Sequence, residues 1–363
     1  MIKVAHVVED LKIGGIERII ENIVMSLDSQ RFEIDVLCLS RGGAIADKLV
    51  AHKKNVEILN ITNYHNPLSV VRVAQWLKRK NIDIVHTHAY PAGVLGRVAS
   101  ILVGVPCIFH HVHSTYFNLH KRNHLIERFL SRFTKKVVCC SEAVKRFVSE
   151  KAGIPKDKLI VIYNGIPEPK VLPVSSINNL RKDLGISQNA KVIGSVASLV
   201  HHKGHEYLLN AFTKVDNAYL LLIGDGPLRL ELEGKASQLN IASRVIFAGS
   251  QREVTPYMHI MDIVVLPSSE REGLGISLIE AMVLSKPVVA TNLGGIPEVV
   301  DDGRTGILVN PRDSDALANA IHRLLTSPEV MLDLGLKGRD RYLEMFTLNR
   351  MLHRIEELYE GCK

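Results

Sequence analysis

Residues 262–282 read DIVVLPSSEREGLGISLIEAM. The short apolar run from Ile263 to Leu266 is stopped by Pro267, as expected of a strand buried on both faces. Ser268 to Gly275 then form a loop. From about Ile276 the spacing of Leu278, Ile279 and Met282 suits a helix. Strand, glycine-bearing loop and helix in that order are half of a βα unit. The fold therefore turns on whether the rest of the chain repeats it.

It does, on both sides. In the first half, KVAHVV, EIDVLCL, VEILNI, DIVHTH, VPCIFHH and KVVCCS read as strands, separated by amphipathic stretches such as IERIIENIVMSL (16–27) and SVVRVAQWLKRK (69–80). After residue 188 a second series follows, with VIGSVA, AYLLLIG, RVIFAG, DIVVLP, PVVAT and GILV as strands and helices such as DALANAIHRLL between them. Between the two series, NGIPEPKVLPVSSINN (164–179) is rich in proline, serine and asparagine and has no period, so it reads as a linker. The expected organisation is α/β, two Rossmann-like parallel-sheet domains facing across a cleft. Their bounds are 1–166 and 189–345, joined by a linker at 167–188. Residues 346–363 form a C-terminal helix free to cross back to the first domain.

The chain has 363 residues, long for one core, and its 46% apolar and 23% charged residues are ordinary for a globular protein. MIKVAHVVED reads as a strand and not as a leader. The longest apolar run, VASILVGVPCIF, is short for a bilayer span and holds a proline. A cytoplasmic protein is expected. Of the five cysteines (38, 107, 139, 140 and 362), four lie in strand-like runs, the pattern of buried thiols in a reducing compartment. The formal charge of +7 suits anionic partners without choosing among them.

Function is sought in the loops after strands, where open parallel sheets bind ligands. Gly273 and Gly275 permit close backbone approach, and the amides of residues 274–277 (Leu274, Gly275, Ile276, Ser277) face an anion at a positive helix end. Glu272 precedes that helix end and Glu280 lies about one turn inside it, so the two are poor candidates for a shared acid/base pair. Glu272 is read as accepting the hydroxyls of a bound sugar and Glu280 those of a ribose, with a diphosphate on the amides between. A capped, dipole-balanced surface helix would explain Glu272 but not the paired glycines. In LVHHKGHEYLL (199–209), Lys203 follows a strand in a loop ending at Gly204, from which it could reach a phosphate; taken alone it reads as a solvated lysine. EDLKIGGIERII (9–20) repeats the strand–glycine–helix device at Gly14 and Gly15.

Histidines gather after two strands, at His86, His88, His110, His111 and His113. Pairs spaced H-x-H without neighbouring cysteine or carboxylate ligands make a poor metal site, and no metal is expected. His113, at a strand end, is read as a hydrogen-bonding group for a sugar and the others as packing groups. GDGPLR (224–229) has Arg229 where a dinucleotide fingerprint needs its third glycine, and GLGISL fails likewise at Leu278. In HKRNHLIERFLSRFTKK (120–136), Leu125, Ile126, Phe129, Leu130 and Phe133 share a helical face among six cations and only Glu127. Two readings stand: a helix packed on the first domain's core, or one lying on an anionic membrane surface.

Taken together these residues resemble glycosyltransferase family 4, the large retaining GT-B family. The resemblance covers nearly the whole chain and is strongest in LIGDGPLRLELE, VIFAGSQREVTPYM, GIPKDKLIVIYNGI and the run from DIVVLPSSEREGLGISLIEAM to GILV. It implies the E-x7-E element in Glu272 and Glu280, a phosphate-binding lysine in Lys203, the first-domain diglycine in Gly14 and Gly15, and a cleft histidine in His113. Glu272, Lys203 and His113 would be catalytic. Donor contacts would come from Gly14, Gly15, Ser198, Lys203, Gly273 to Ser277 and Glu280. One departure is that Ser198 stands where the family often has an arginine beside the diphosphate. A second cation is thus missing or comes from elsewhere, His202 or Arg271.

The implied activity is transfer of a hexose-type sugar from a UDP- or GDP-sugar to a saccharide or lipid-linked saccharide acceptor, with retention and no cofactor besides the nucleotide sugar. Nucleic acid is not an expected partner. The competing readings are a sugar-nucleotide-binding protein of the same shape without catalysis, and an epimerase.

Overall fold

A computed structural model of the chain describes residues 1–115, 120–170 and 172–362. They form two compact units, Met1–Gly165 with Leu348–Lys363, and Ile166–Thr347.

The first unit is built on strands β1 (Ile2–Asp10), β2 (Phe32–Arg41), β3 (Asn55–Ile58), β4 (Ile84–His88), β5 (Cys107–Val112), β6 (Lys136–Cys139) and β7 (Leu159–Val161). They pair in parallel in the order β3-β2-β1-β4-β5-β6-β7. The seventh strand was not expected, since its three residues give no readable period. β4 and β5 are buried at every residue, as central strands covered on both faces must be. Trp76, Leu77, Leu95 and Ala99 from two of the covering helices pack on Ala5, Val7 and Val85 of the sheet.

The C-terminal helix, Leu348–Glu360, belongs to this unit and buries Met351, Leu352, Ile355 and Tyr359. Arg31 binds its Glu356 at 2.9 Å and also pairs with Glu360. Just beyond it, Cys362 is disulfide-bonded to Cys107 at the start of β5, with Cα atoms 6.1 Å apart. This corrects the expectation that Cys107, one of the four cysteines in strand-like runs, is a free buried thiol. The two partners lie 255 residues apart, and nothing local in the sequence links them. Cys38, Cys139 and Cys140 are free and buried as expected.

The second unit carries β8 (Lys191–Val196), β9 (Ala218–Ile223), β10 (Val245–Gly249), β11 (Ile263–Leu266), β12 (Val288–Thr291) and β13 (Ile307–Val309), parallel in the order β10-β9-β8-β11-β12-β13. Strand order reverses between β8 and β11, so the loops leaving those two strands part around a crevice at their carboxyl ends. The stretch read as aperiodic linker contains the helix Val174–Asp183, whose Arg181 donates to the carbonyls of Ser187 (2.9 Å) and Ala190 (2.6 Å). None of that helix's residues is buried, which is why no apolar period announced it. Val171, inside the same stretch, lies outside the described residues.

The basic segment forms the helix Lys121–Ser131 and packs the opposite way from a core helix. Its single acid, Glu127, turns inward and meets the fully buried Arg97 guanidinium at 2.5 Å. Leu130 follows it in, while Leu125, Ile126, Phe129 and Phe133 are 65%, 38%, 54% and 48% exposed. The core-packing reading of that apolar face is therefore corrected. The buried ion pair, not the apolar stripe, decides which side faces the protein.

Candidate active site

In the second unit, the loop after β8 carries Ser198 and a short 3-10 turn, His201–Lys203, while the loop after β11 carries Ser268 to Gly275. The two are stapled together. Ser269 N donates to His202 O at 2.9 Å, and Ser269 Oγ donates to His201 O at 3.2 Å. Gly204, with φ of 68°, lies so close to this join that a Cβ would fall 2.1 Å from Pro267 O. A side chain there would prise the loops apart.

The staple brings Lys203 and Glu272, 69 residues apart in sequence, into contact: Lys203 Nζ lies 2.6 Å from Glu272 Oε2. Ser268 Oγ donates to the same oxygen at 2.8 Å. Burial pushes the Glu272 carboxyl up, but the Lys203 ammonium and the two hydrogen bonds outweigh it and hold the group below the usual carboxylate range. At neutral pH the site thus contains a charged carboxylate with a cation on it, and both side chains reach the crevice edge without being freely solvated.

Immediately downstream, Gly275 (φ 90°) leads into the helix Ile276–Val283. The amides of Ile276 and Ser277 head that helix and have no carbonyl one turn back to bind. Leu274 is buried under them, and Glu280 sits half-buried in the next turn. Glu272 and Glu280 are therefore separated by the helix's own start.

Ser198 is exposed on the first loop. Of the two candidate replacements for the missing arginine, His202 is pulled down to about 4 by burial and by the charges of Lys203 and Arg271, so it is neutral at pH 7. Arg271 follows on the second loop and makes no ion pair with any of the described residues. The sequence reading gave GDGPLR no part in this site. Yet Gly224 and Gly226 are what let the Ser198 loop lie down, because a Cβ on either would meet Ala197 O or Leu199 O at 2.1 and 2.4 Å. A glycine pair one strand away was the available signal.

The remaining sequence candidates lie in the first unit. Gly14 precedes the helix Gly15–Ser26 with φ of −168°, extended backbone that any residue adopts, so its conformation does not demand glycine. Its missing side chain instead leaves room for the Glu17 carboxylate, which folds back over it. His113 follows β5 and is buried, with Nε2 3.1 Å from His88 Nδ1 and its carbonyl accepting from Cys140 Sγ. His110 lies on the opposite face of β5, hydrogen-bonded to Thr87 Oγ1 at 2.9 Å and near Glu127. Two trios, His6–His86–His88 and His88–His111–His113, bring nitrogen atoms within 4.8 Å of one another, the spacing at which a metal becomes a question.

Two doubly wound parallel sheets, one with a cation, a carboxylate and a helix start gathered at its switch point, define the class of α/β protein whose functional loops lie at the carboxyl ends of the strands. Comparison with known proteins narrows this. Residues 13–168 match Glycosyltransferase Family 4 and residues 176–341 match Glycosyl transferases group 1. The chain is 26% identical over 375 residues to the Escherichia coli UDP-Gal:alpha-D-GlcNAc-diphosphoundecaprenol alpha-1,3-galactosyltransferase, covering 99% of this chain and 96% of the relative. It is 34% identical over 246 residues to the Mycolicibacterium smegmatis GDP-mannose-dependent alpha-(1-6)-phosphatidylinositol monomannoside mannosyltransferase, covering 64% of this chain and 61% of that one. Among solved structures, Anabaena HepE in complex with UDP-glucose superposes with a TM-score of 0.89 at 26% identity, over 99% of this chain and 100% of that one. The chain belongs to the GT-B glycosyltransferases of family 4.

Proposed function

We propose that this glycosyltransferase moves a hexose-type sugar from a UDP- or GDP-sugar to an acceptor hydroxyl with retention, in the assembly of a cell-surface polysaccharide or glycolipid. The observation that carries the reading is the Lys203–Glu272 contact at the mouth of the second sheet, beside an open helix start. In this reading Lys203, the amides from Gly273 to Ser277 and Arg271 take the diphosphate, whose charge grows as the sugar departs. Such pre-aimed donors stabilise the transition state more than the ground state. Glu272 and His113 hold hydroxyls of the transferred sugar, Gly14 and Gly15 border the donor, and Glu280 holds the ribose. The departing phosphate oxygen takes the acceptor proton on the same face, so no second carboxylate is needed. The names of the relatives include both UDP-Gal and GDP-mannose, so the base is decided by experiment. The test is incubation with radiolabelled UDP- and GDP-sugars. Slow release of free sugar and nucleoside diphosphate from one donor, without acceptor, is the expected result. An altered sugar nucleotide would indicate an epimerase, and no turnover of any donor a binding protein.

A lipid-linked acceptor fits the basic helix Lys121–Ser131. Its exposed Leu125 and Phe129, with Phe133 just beyond its end, are accompanied in sequence by Arg122, Arg128, Arg132 and Lys135, a combination suited to an anionic bilayer surface. No helix among the described residues is long and apolar enough to cross a membrane. The protein is expected to co-sediment with vesicles containing phosphatidylglycerol, to leave them at high salt, and to lose binding on Phe129→Ser. Equal binding to neutral vesicles would remove this part of the reading.

A further inference from the structure

A third loop converges on Glu272, the one that leaves β12. β11 and β12 lie side by side, with Leu266 opposite Ala290 at the end of their pairing. One residue farther on, Thr291 Oγ1 donates to Ser268 O at 2.7 Å. Ser268 Oγ in turn donates to Glu272 Oε2 at 2.8 Å. The main chain of Glu272 is gripped from the same loop, since Gly295 N donates to Glu272 O at 3.2 Å. Gly294, at φ of 57°, passes so near that a Cβ would lie 2.2 Å from that carbonyl oxygen. Ser268, Thr291 and Glu272 are all buried. Backbone and side chain of Glu272 are thus both held, and by residues to which the reaction proposed above gives no part.

We propose that Ser268 and Thr291 are positioning residues for Glu272. Thr291 fixes the Ser268 backbone, Ser268 engages Glu272 Oε2, and Oε1 is thereby the oxygen presented to the donor sugar. The direction of each bond is forced. An ionised carboxylate and a carbonyl only accept, so the two hydroxyls are the donors, and each has a single proton to give. Lys203 Nζ, 2.6 Å away, lands on the same Oε2. Two donors on one oxygen fix the last torsion of the side chain, which in an unheld glutamate is broad. No described residue donates to Oε1, which leaves its lone pairs for a hydroxyl of the ligand. Burial gives the arrangement its importance, because a charged group taken from water must be met by donors in the protein.

Holding strands and loops together is the other use these bonds could have, and it is already met. Backbone pairing joins β11 to β12 from Val264 to Leu266. Ser269 fastens the β11 loop to His201 and His202, and the Gly295 amide fastens the β12 loop to Glu272 O. What the two hydroxyls add is a path that ends on the carboxylate.

Positioning of Glu272 acts on the reaction through the sugar contact proposed above, on which this inference rests. The readout is hydrolysis of radiolabelled UDP-glucose, UDP-galactose or GDP-mannose by the full chain without acceptor, for whichever of them is turned over. Thr291→Val keeps the branched shape and drops the hydroxyl. It and Ser268→Ala should each lower kcat about tenfold, the loss of one hydrogen bond. KM for the donor should change less than about threefold. Because both residues act along one path, the double variant should be no slower than Ser268→Ala alone, and Thr291→Ser should restore the rate. With Glu272→Gln already in place, adding Thr291→Val should cost less than about twofold. A merely structural threonine would lower the thermal midpoint and cost the same with or without the Glu272 carboxylate. That result, additive losses, or Thr291→Val turnover within about twofold of the parent protein overturns the proposal and leaves the sugar contact standing. Parental turnover by Glu272→Gln, or no hydrolysis of any of these donors, removes the sugar contact and the proposal with it.

Discussion

Lys203→Ala should lower the rate of sugar transfer by two to three orders of magnitude while both units stay folded. One well-aimed donor to a charge that develops in the transition state is typically worth about 3 kcal/mol, or roughly a hundredfold in rate. Lys203 is more than a nearby cation, because the same ammonium also keeps Glu272 ionised in a buried position. Its loss leaves that carboxylate with only the Ser268 hydroxyl, so the effect should exceed that of one hydrogen bond. Lys203→Arg keeps the charge but spreads it over a planar fork, and is expected to recover only part of the rate. Glu280→Gln should instead weaken donor binding more than turnover. Transfer by Lys203→Ala within about tenfold of the parent protein, with unfolding unchanged, would sink the assignment.

The first unit should lose stability steeply on acidification. Burial pulls His6 and His113 down to about 3, whereas in the unfolded chain they titrate near about 6.5. Between those values the unfolded chain binds protons that the folded unit does not. Stability is therefore full above about pH 6.5 and falls as pH drops toward the folded values. At pH 5 each of the two costs about 2 kcal/mol. His86, His88, His110 and His111 are lowered as well, by burial first and neighbouring charge second, and act in the same direction. The chain's single tryptophan, Trp76, is buried in this unit, so its fluorescence during urea unfolding reads the unit alone. The expected result is an uptake of about two or more protons on unfolding at pH 5. An uptake below one would mean that the imidazoles keep their ordinary proton affinity.

Much of the fold is legible in the sequence because parallel strands announce themselves locally. Runs such as IVVL and AYLLLI are apolar at every position and stop at proline or glycine, and a helix pattern follows. What stays hidden depends on partners far away. The orientation of the basic helix hangs on Glu127 meeting Arg97, 30 residues upstream, so its apolar stripe suggested the wrong inner face. Cys362 finds Cys107 only because the last helix returns to the first sheet. In the candidate site, Lys203 and Glu272 were each recognisable from their own loops. That they touch follows from β8 and β11 being neighbours, a property of strand order that no local window contains. The histidines show the same limit. The H-x-H spacing put His86 with His88 and His111 with His113 on one face, but His6 and Tyr359 come from opposite ends of the numbering.

That last helix has a consequence for how the protein is made. The first unit is interrupted: after Gly165 the chain builds residues 166–347 and only then supplies Leu348 onward. At about 5–20 residues per second, a ribosome would take roughly 10 to 60 s between delivering His88 and delivering Tyr359. For that interval the imidazole-bearing strands have no lid, and the disulfide at Cys107 has no partner. The second unit, by contrast, is contiguous and can finish on its own. Nascent first unit thus waits as an open sheet for its own final residues, which makes it the stage at which a chaperone would be needed and at which oxidation of Cys107 by a stranger could go wrong.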